Sequence, residues 1–256
     1  MKSLISFIKK EFFEQARSGR MMILFILFVL FGIMNPAVAK MTPWLLEVMS
    51  DSLAASGMII TEVTVTALDS WVQFFKNIPM ALIVFVLMES SVFTKEYSSG
   101  TLVLSLTKGL ERYKVVLAKT MVMFSLWTGY YFICFGITYV YNAYFWDNSI
   151  AQSLTASVLL WWVFGIFVIA LTVLFSIIFK TSSSVLVSVG GCTALSYVIG
   201  FLPRLKAYVP TLLMDGTSLI YGTAPVSDYL SSLVVAVVIS VICLCISIPL
   251  FNNKQL

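Results

Sequence analysis

The chain reads as an all-α integral membrane protein with six transmembrane helices, and three observations predict this. Of its 256 residues 60% are apolar and 11% are charged, against about a quarter charged in an ordinary soluble domain. Its mean hydropathy is +0.98. The charges gather in clusters between uninterrupted apolar runs, and such runs need lipid as their solvent, since about 20 apolar residues carry a helix across the hydrocarbon.

Ahead of the first span, residues 1–20 read "MKSLISFIKKEFFEQARSGR". Ile5, Ile8, Phe12 and Ala16, widened by Leu4 and Phe13, form one helical stripe, with Lys9, Lys10, Glu14 and Arg17 mainly opposite. Steps of three and four predict an amphipathic helix lying on an anionic inner leaflet, ended by Ser18-Gly19. A solvated basic tail is the alternative. The transmembrane domain, 21–256, then carries spans at roughly 21–39, 72–93, 115–141, 154–179, 184–203 and 229–251. "PAVAK" at 36–40 imitates a signal-peptide cleavage site, but twenty residues including Glu11 and Glu14 precede the run, so the first span is expected to be retained. Pro79 is placed near the start of the second span, where the first turn of a helix has unpartnered amides anyway. Thr181-Ser182-Ser183-Ser184 leaves room only for a tight hairpin between the fourth and fifth spans. Residues 203–228, apolar but rich in Pro and Gly, predict a re-entrant or interfacial outer segment.

Lysine and arginine orient the chain. With the N-terminus inside, the inner side collects Lys2, Lys9, Lys10, Arg17, Arg20, Lys95, Lys108, Arg112, Lys114, Lys119, Lys180 and Lys254, whereas the outer side has only Lys40, Lys76, Arg204 and Lys206. This predicts an N-in, C-in topology and a cytoplasmic insert at 94–114. Outer aromatics such as Trp44, Trp71, Tyr144, Trp146 and Tyr208 fit an interfacial belt.

The absence of histidine excludes the HExxH zinc site, the Ser-His-Asp triad and the Cys-His pair, and no G-x-x-x-x-G-K-[ST] motif is present. The chain is therefore not expected to be an enzyme. The four cysteines lie in apolar runs and read as packing residues, and no metal site is expected. Glu89 is the one carboxylate well inside a predicted span; it reads either as paired with a base such as Lys95 or Arg112, or as a group handling substrate or protons. Ser184, Ser188, Cys192, Ser196 and Gly200 recur every four residues, as do Ser232, Ala236 and Ser240. Such small ridges allow close helix approach, within one subunit or at a seam between two.

The insert begins "TKEYSSGTL" and its charges suit lipid head groups and a partner protein equally. Glu96-Tyr97-Ser98-Ser99-Gly100-Thr101-Leu102, followed by Arg112 and by Lys119 at the head of a span, resembles the type-2 ABC transporter permease family. The Glu-Tyr-x-Ser-Gly form is also similar to the half-transporters of the eukaryotic G subfamily. The layout agrees over the whole chain, with one departure: Lys108-Gly109-Leu110-Glu111 stands where many members have Pro before the Arg. The resemblance implies that the insert holds a coupling helix seated on a separate ATP-binding subunit. It further implies that two permeases, identical or similar, assemble with two such ATPases, and that ATP and Mg bind the ATPase and no cofactor binds this chain. It assigns Glu96, Tyr97, Ser99, Gly100, Thr101, Leu102, Arg112 and Lys119 to the coupling junction, and the fifth-span ridge to the dimer seam.

The expected function is that of a permease subunit of an ATP-driven exporter in a cell membrane, bacterial inner membrane by preference. Apolar span walls with few fixed charges favour an amphipathic or hydrophobic substrate: an antimicrobial peptide, drug or lipid-like compound. No nucleic-acid partner is expected. The alternatives are an ion-coupled secondary transporter or channel, or a peptide-binding membrane immunity protein.

Overall fold

The computed structural model describes residues 2–48, 64–99, 107 and 111–254, and among them every regular element is helical. In chain order these are α1 (Lys2–Arg17), α2 (Arg20–Val48), α3 (Ala67–Glu89), α4 (Ser91–Ser99), α5 (Arg112–Phe145), α6 (Leu154–Ile178), α7 (Ser182–Ile199), the short α8 (Gly216–Ile220) and α9 (Leu230–Asn252). Among the described residues six helices are long and apolar enough to cross a membrane, and each overlaps one of the predicted apolar runs.

The spans differ from expectation at their ends. α2 runs on to Val48 through Pro36 and Pro43, because a helix does not stop where the lipid does. α5 has 34 residues, about 50 Å at 1.5 Å per residue, and so projects beyond the roughly 30 Å hydrocarbon. α3 starts at Ala67, where the Asp69 carboxylate accepts the Thr66 amide at 2.8 Å and closes the first turn. This early start places Pro79 in the helix interior rather than near its first turn. Proline there removes a backbone bond and crowds the preceding turn; neighbouring helices make this tolerable in lipid.

α6 is the most enclosed span and α7 the least. α6 packs along α9, where Ser232, Ala236, Ser240 and Ser247 are buried, so the small ridge of the last span serves packing within the subunit. α2, α3 and α5 form the other half around a buried aromatic group in which Trp127 meets Phe28, Phe85 and Tyr131 at ring separations of 6.0, 5.7 and 5.3 Å. Amides cross-link this half: Asn77 Nδ2 donates to Asn35 Oδ1 at 2.8 Å, and Asn35 Nδ2 to Thr138 Oγ1 at 3.0 Å. Hydrophobic patterning gave no sign of this triad.

The 203–228 segment becomes short 3-10 turns and α8, laid against α6, α3 and α9. Its backbone is answered by the bundle: Trp161 Nε1 donates to the Met214 carbonyl at 2.8 Å, Ser232 Oγ to that of Val209, and the Gln152 amide to that of Ile220 at 3.0 Å. That accounting is what an irregular segment at a membrane border requires.

Candidate functional site

α1 lies across the end of α5 and against α2. It turns Leu4, Phe7, Ile8, Glu11 and Gln15 towards the bundle and leaves Ile5, Phe12, Phe13 and Ala16 exposed. The predicted apolar stripe is thus divided: Leu4 and Ile8 pack inward, and the rest is exposed. The inward face carries the site. Its positions, at steps of three and four, bring two polar side chains under α5.

Lys119, on the buried face of α5, is 2% exposed. Its ammonium donates to Glu11 Oε2 at 2.7 Å and to the Val92 carbonyl at 3.4 Å, and it pairs with Glu96 Oε2 at 3.1 Å. One buried cation thereby joins α1, α4 and α5. Lys10 flanks the cluster at 3.0 Å from Glu11, 2.8 Å from Glu14 and 3.4 Å from Glu96. Partial burial opposes the charges of Lys10 and Glu14. The Glu14 hydrogen bond and its acidic neighbours nevertheless raise the Lys10 pKa, and Lys10 holds the Glu14 carboxyl below its usual range. The carboxylates of Glu11, Glu14 and Glu96 lie within 4.8 Å of one another, a spacing that suits a metal ion. Here two ammoniums already provide the counter-charge, so the donor set is that of an ion-pair network.

Beside this network, Gln15 Nε2 donates to Glu89 Oε2 at 2.8 Å, and Glu89 is 1% exposed. The hydrogen-bond partner of Glu89 is therefore Gln15. Arg112 is engaged elsewhere, on carbonyl oxygens at the end of α9, and Arg20 bonds Ser91 Oγ at 2.7 Å. Gln15→Leu is expected to lower stability by about 1–3 kcal/mol, because it strands a buried acid. Gln15→Leu with Glu89→Leu should recover most of that loss, since removing both partners is far less costly than removing one. Thermal midpoints in nanodiscs check this, and a double variant no better than the single one would sink the pairing.

The structure brings Glu96 and Lys119 together but buries both. Tyr97 and Ser99 fall within α4, whereas Gly100, Thr101 and Leu102 lie outside the described residues. Glu11 and Gln15 were missed by sequence reasoning, although a polar pair at four-residue spacing beside Phe7 and Ile8 was a readable signal.

A second feature lies within the spans. α3, α6, α7 and the 210–214 turn border an open cavity of about 440 Å³, lined by Pro79, Ile83, Phe164, Leu186 and Met214, with Thr193 and Thr211 supplying hydroxyls. On α7 the predicted ridge of Ser184, Ser188, Cys192, Ser196 and Gly200 is half-buried, and Ser196 Oγ reaches Thr211 Oγ1 at 3.5 Å. The exposed face carries Val187, Gly190, Gly191, Ala194, Leu195 and Val198 instead.

A helical multi-pass membrane protein with an insert locked to its spans by buried ion pairs has the build of a transporter's membrane domain. A family model described as "ABC-2 family transporter protein" matches residues 5–208, and the chain belongs to that family. It is accordingly an ABC transporter permease, a transport component and not itself catalytic. A search of curated proteins returned no match.

Proposed function

We propose that this chain is the permease subunit of an ATP-driven exporter, with its N- and C-termini in the cytoplasm and its insert docked on a separate ATP-binding subunit. The observation that carries this reading is the buried Lys119 ammonium behind the insert, which ties α4 to α1 and α5. A push on the insert reaches the spans through that ammonium. Tyr97 and the 99–102 stretch would touch the ATPase; Glu96 and Lys119, being buried, would transmit its movement, and Arg112 would hold the exit of the insert. ATP and Mg belong on the partner.

Two permeases and two ATPases form the expected assembly, in a bacterial inner membrane. The exposed, glycine-bearing face of α7 supports a seam with a second copy, since small residues let backbones approach in lipid. The cavity beside it supports an amphipathic or hydrophobic substrate, such as an antimicrobial peptide, drug or lipid-like compound: its walls are apolar and its polar groups are hydroxyls rather than charges.

The test is co-expression with candidate ATP-binding subunits and purification by a tag on this chain. Capture of an ATPase is expected. A Gly100/Thr101 double substitution should lose the ATPase while the permease stays monodisperse, and Glu96→Ala should keep it bound but uncoupled. A stable permease that captures none of the candidates would sink the exporter reading and return attention to ion-driven flux by the chain alone.

A further inference from the structure

The end of the last span is held in an unusual way. A helix leaves its final four carbonyls without intrahelical partners, and a glycine beyond the end or water commonly answers them. α9 ends in Phe251-Asn252-Asn253-Lys254 with no glycine. Instead Nη1 of Arg112, the first residue of α5, lies 3.2 Å from the carbonyl oxygen of Phe251, 3.0 Å from that of Asn252 and 2.7 Å from that of Lys254. Shared bonds of this kind are common at helix ends, and a cation there also opposes the helix dipole.

The same turn reaches two further elements. Lys254 Nζ donates to the carbonyl of Ile177, in the last turn of α6. The Phe251 ring is fully buried and meets Phe93 of α4 edge-on at 6.4 Å. Four elements therefore converge on four residues: α4 through Phe93, α5 through Arg112, α6 through Ile177 and α9 itself. The Arg112 and Lys254 contacts lie apart from the Lys119 network, which joins α1, α4 and α5; Phe93 is shared, since its ring also lies 5.5 Å from the Lys119 ammonium.

We infer that the C-terminal turn, Phe251–Lys254, is a strut that couples the exit of the insert to α6 and α9 through polar contacts separate from those of Lys119. The insert then has two outputs. Lys119 carries its displacement to α1 and α5; Arg112 and the strut carry it to the α6–α9 pair. The meaning of this for transport rests on the proposed exporter function, but the strut itself is a property of the chain alone. Its chemistry also specifies the residue. All three contacts fall on one guanidinium nitrogen, which the rigid plane aims at the helix end, whereas a lysine ammonium sits on a flexible stem, so Arg112→Lys should keep the charge and weaken the grip.

Amide hydrogen exchange on the full-length permease in nanodiscs, without any ATPase, tests the strut. Arg112→Gln should speed exchange at Leu250–Asn253 by a factor of about ten or more, and also at Phe175–Phe179 of α6, which Arg112 does not touch. Lys254→Gln should loosen the end of α6 and leave α1 and the start of α5 protected. Arg112→Lys should fall between wild type and Arg112→Gln. Two results would overturn the inference: loosening by Arg112→Gln confined to α9, or equal loosening of the distant 209–220 segment, which would make Arg112 a determinant of the whole fold. Repeating the variants in a complex with a captured ATPase keeps the two readings apart. Failure to capture any ATPase removes the ATP-driven exporter reading and leaves the exchange result standing. Capture with wild-type coupling in Arg112→Gln and Lys254→Gln removes the strut's role while the exporter reading stands.

Discussion

Lys119→Met is expected to cost about 3–5 kcal/mol, the range observed when one partner of a buried ion pair is removed. Methionine nearly matches the lysine stem in volume, so the loss is electrostatic. Glu11 and Glu96 have side chains 5% and 8% exposed, and they would face each other across the vacated position without a buried cation. Lys10 would remain as their cation, 3.0 Å from Glu11 and 3.4 Å from Glu96, but from the outer flank, where its side chain is 44% exposed and its attraction is screened. The variant should express poorly, unfold at a lower temperature in nanodiscs and release α1 from the bundle, visible as faster amide exchange over Phe7–Gln15. Combining Lys119→Met with Glu11→Gln and Glu96→Gln should restore most of the stability, since neutral amides are far cheaper to bury than two carboxylates sharing one flanking cation. It should not restore coupling to an ATPase. A single variant as stable as wild type would show that the cluster is solvated and that α1 is held by its apolar contacts alone.

The legibility of this fold in its sequence follows from what lipid demands. Six apolar runs separated by charge leave little freedom, so the spans fell where expected. Their ends did not, because hydropathy reports where lipid begins and helices such as α2 and α5 extend past it. Pro79 was judged against a helix that started five residues too late: the Asp69–Thr66 turn is polar, and a search for apolar runs passes over it. The site was only half legible. Glu96 and Lys119 were marked through family resemblance, while Glu11 and Gln15 of α1 were assigned to neither its apolar stripe nor its charged side. On an interfacial helix a polar residue has two ways to face, water or a buried partner, and periodicity alone does not distinguish them. The same ambiguity hid Asn35 and Thr138, which satisfy each other inside the bundle. It also affected α7, where a regular small-residue ridge proved to be half-covered while a less regular face remained open.

Close packing supplies the second large effect, at Gly165 of α6. A Cβ built there would lie 2.2 Å from both Cε2 and Cζ2 of Trp127 and 2.4 Å from its Nε1, well inside van der Waals contact. The indole has no room to retreat. It is fully buried, ringed by Phe28, Phe85 and Tyr131, and held by its own N–H, which donates to the Trp162 carbonyl at 3.2 Å. In effect Trp127 fills the space a side chain at 165 would take, and this lets α5 and α6 approach. Gly165→Ala should therefore destabilise by about 1–3 kcal/mol, the usual cost of overpacking, despite the helix propensity of about 1 kcal/mol that alanine adds. Gly165→Leu should prevent folding. Gly165→Ala with Trp127→Phe should be more stable than the sum of the single changes predicts, because the two side chains compete for one volume. Gly190→Ala on α7 is the control: nothing lies within 4 Å of its Cβ position, so propensity alone should act and the change should be neutral or slightly stabilising. Thermal midpoints of the four variants in nanodiscs decide the matter. If Gly165→Ala matched Gly190→Ala, the α5–α6 contact would have to be looser than the indole geometry allows. If Gly165→Ala alone fell, the halves of the bundle would be joined at this point by one aromatic ring and one absent side chain.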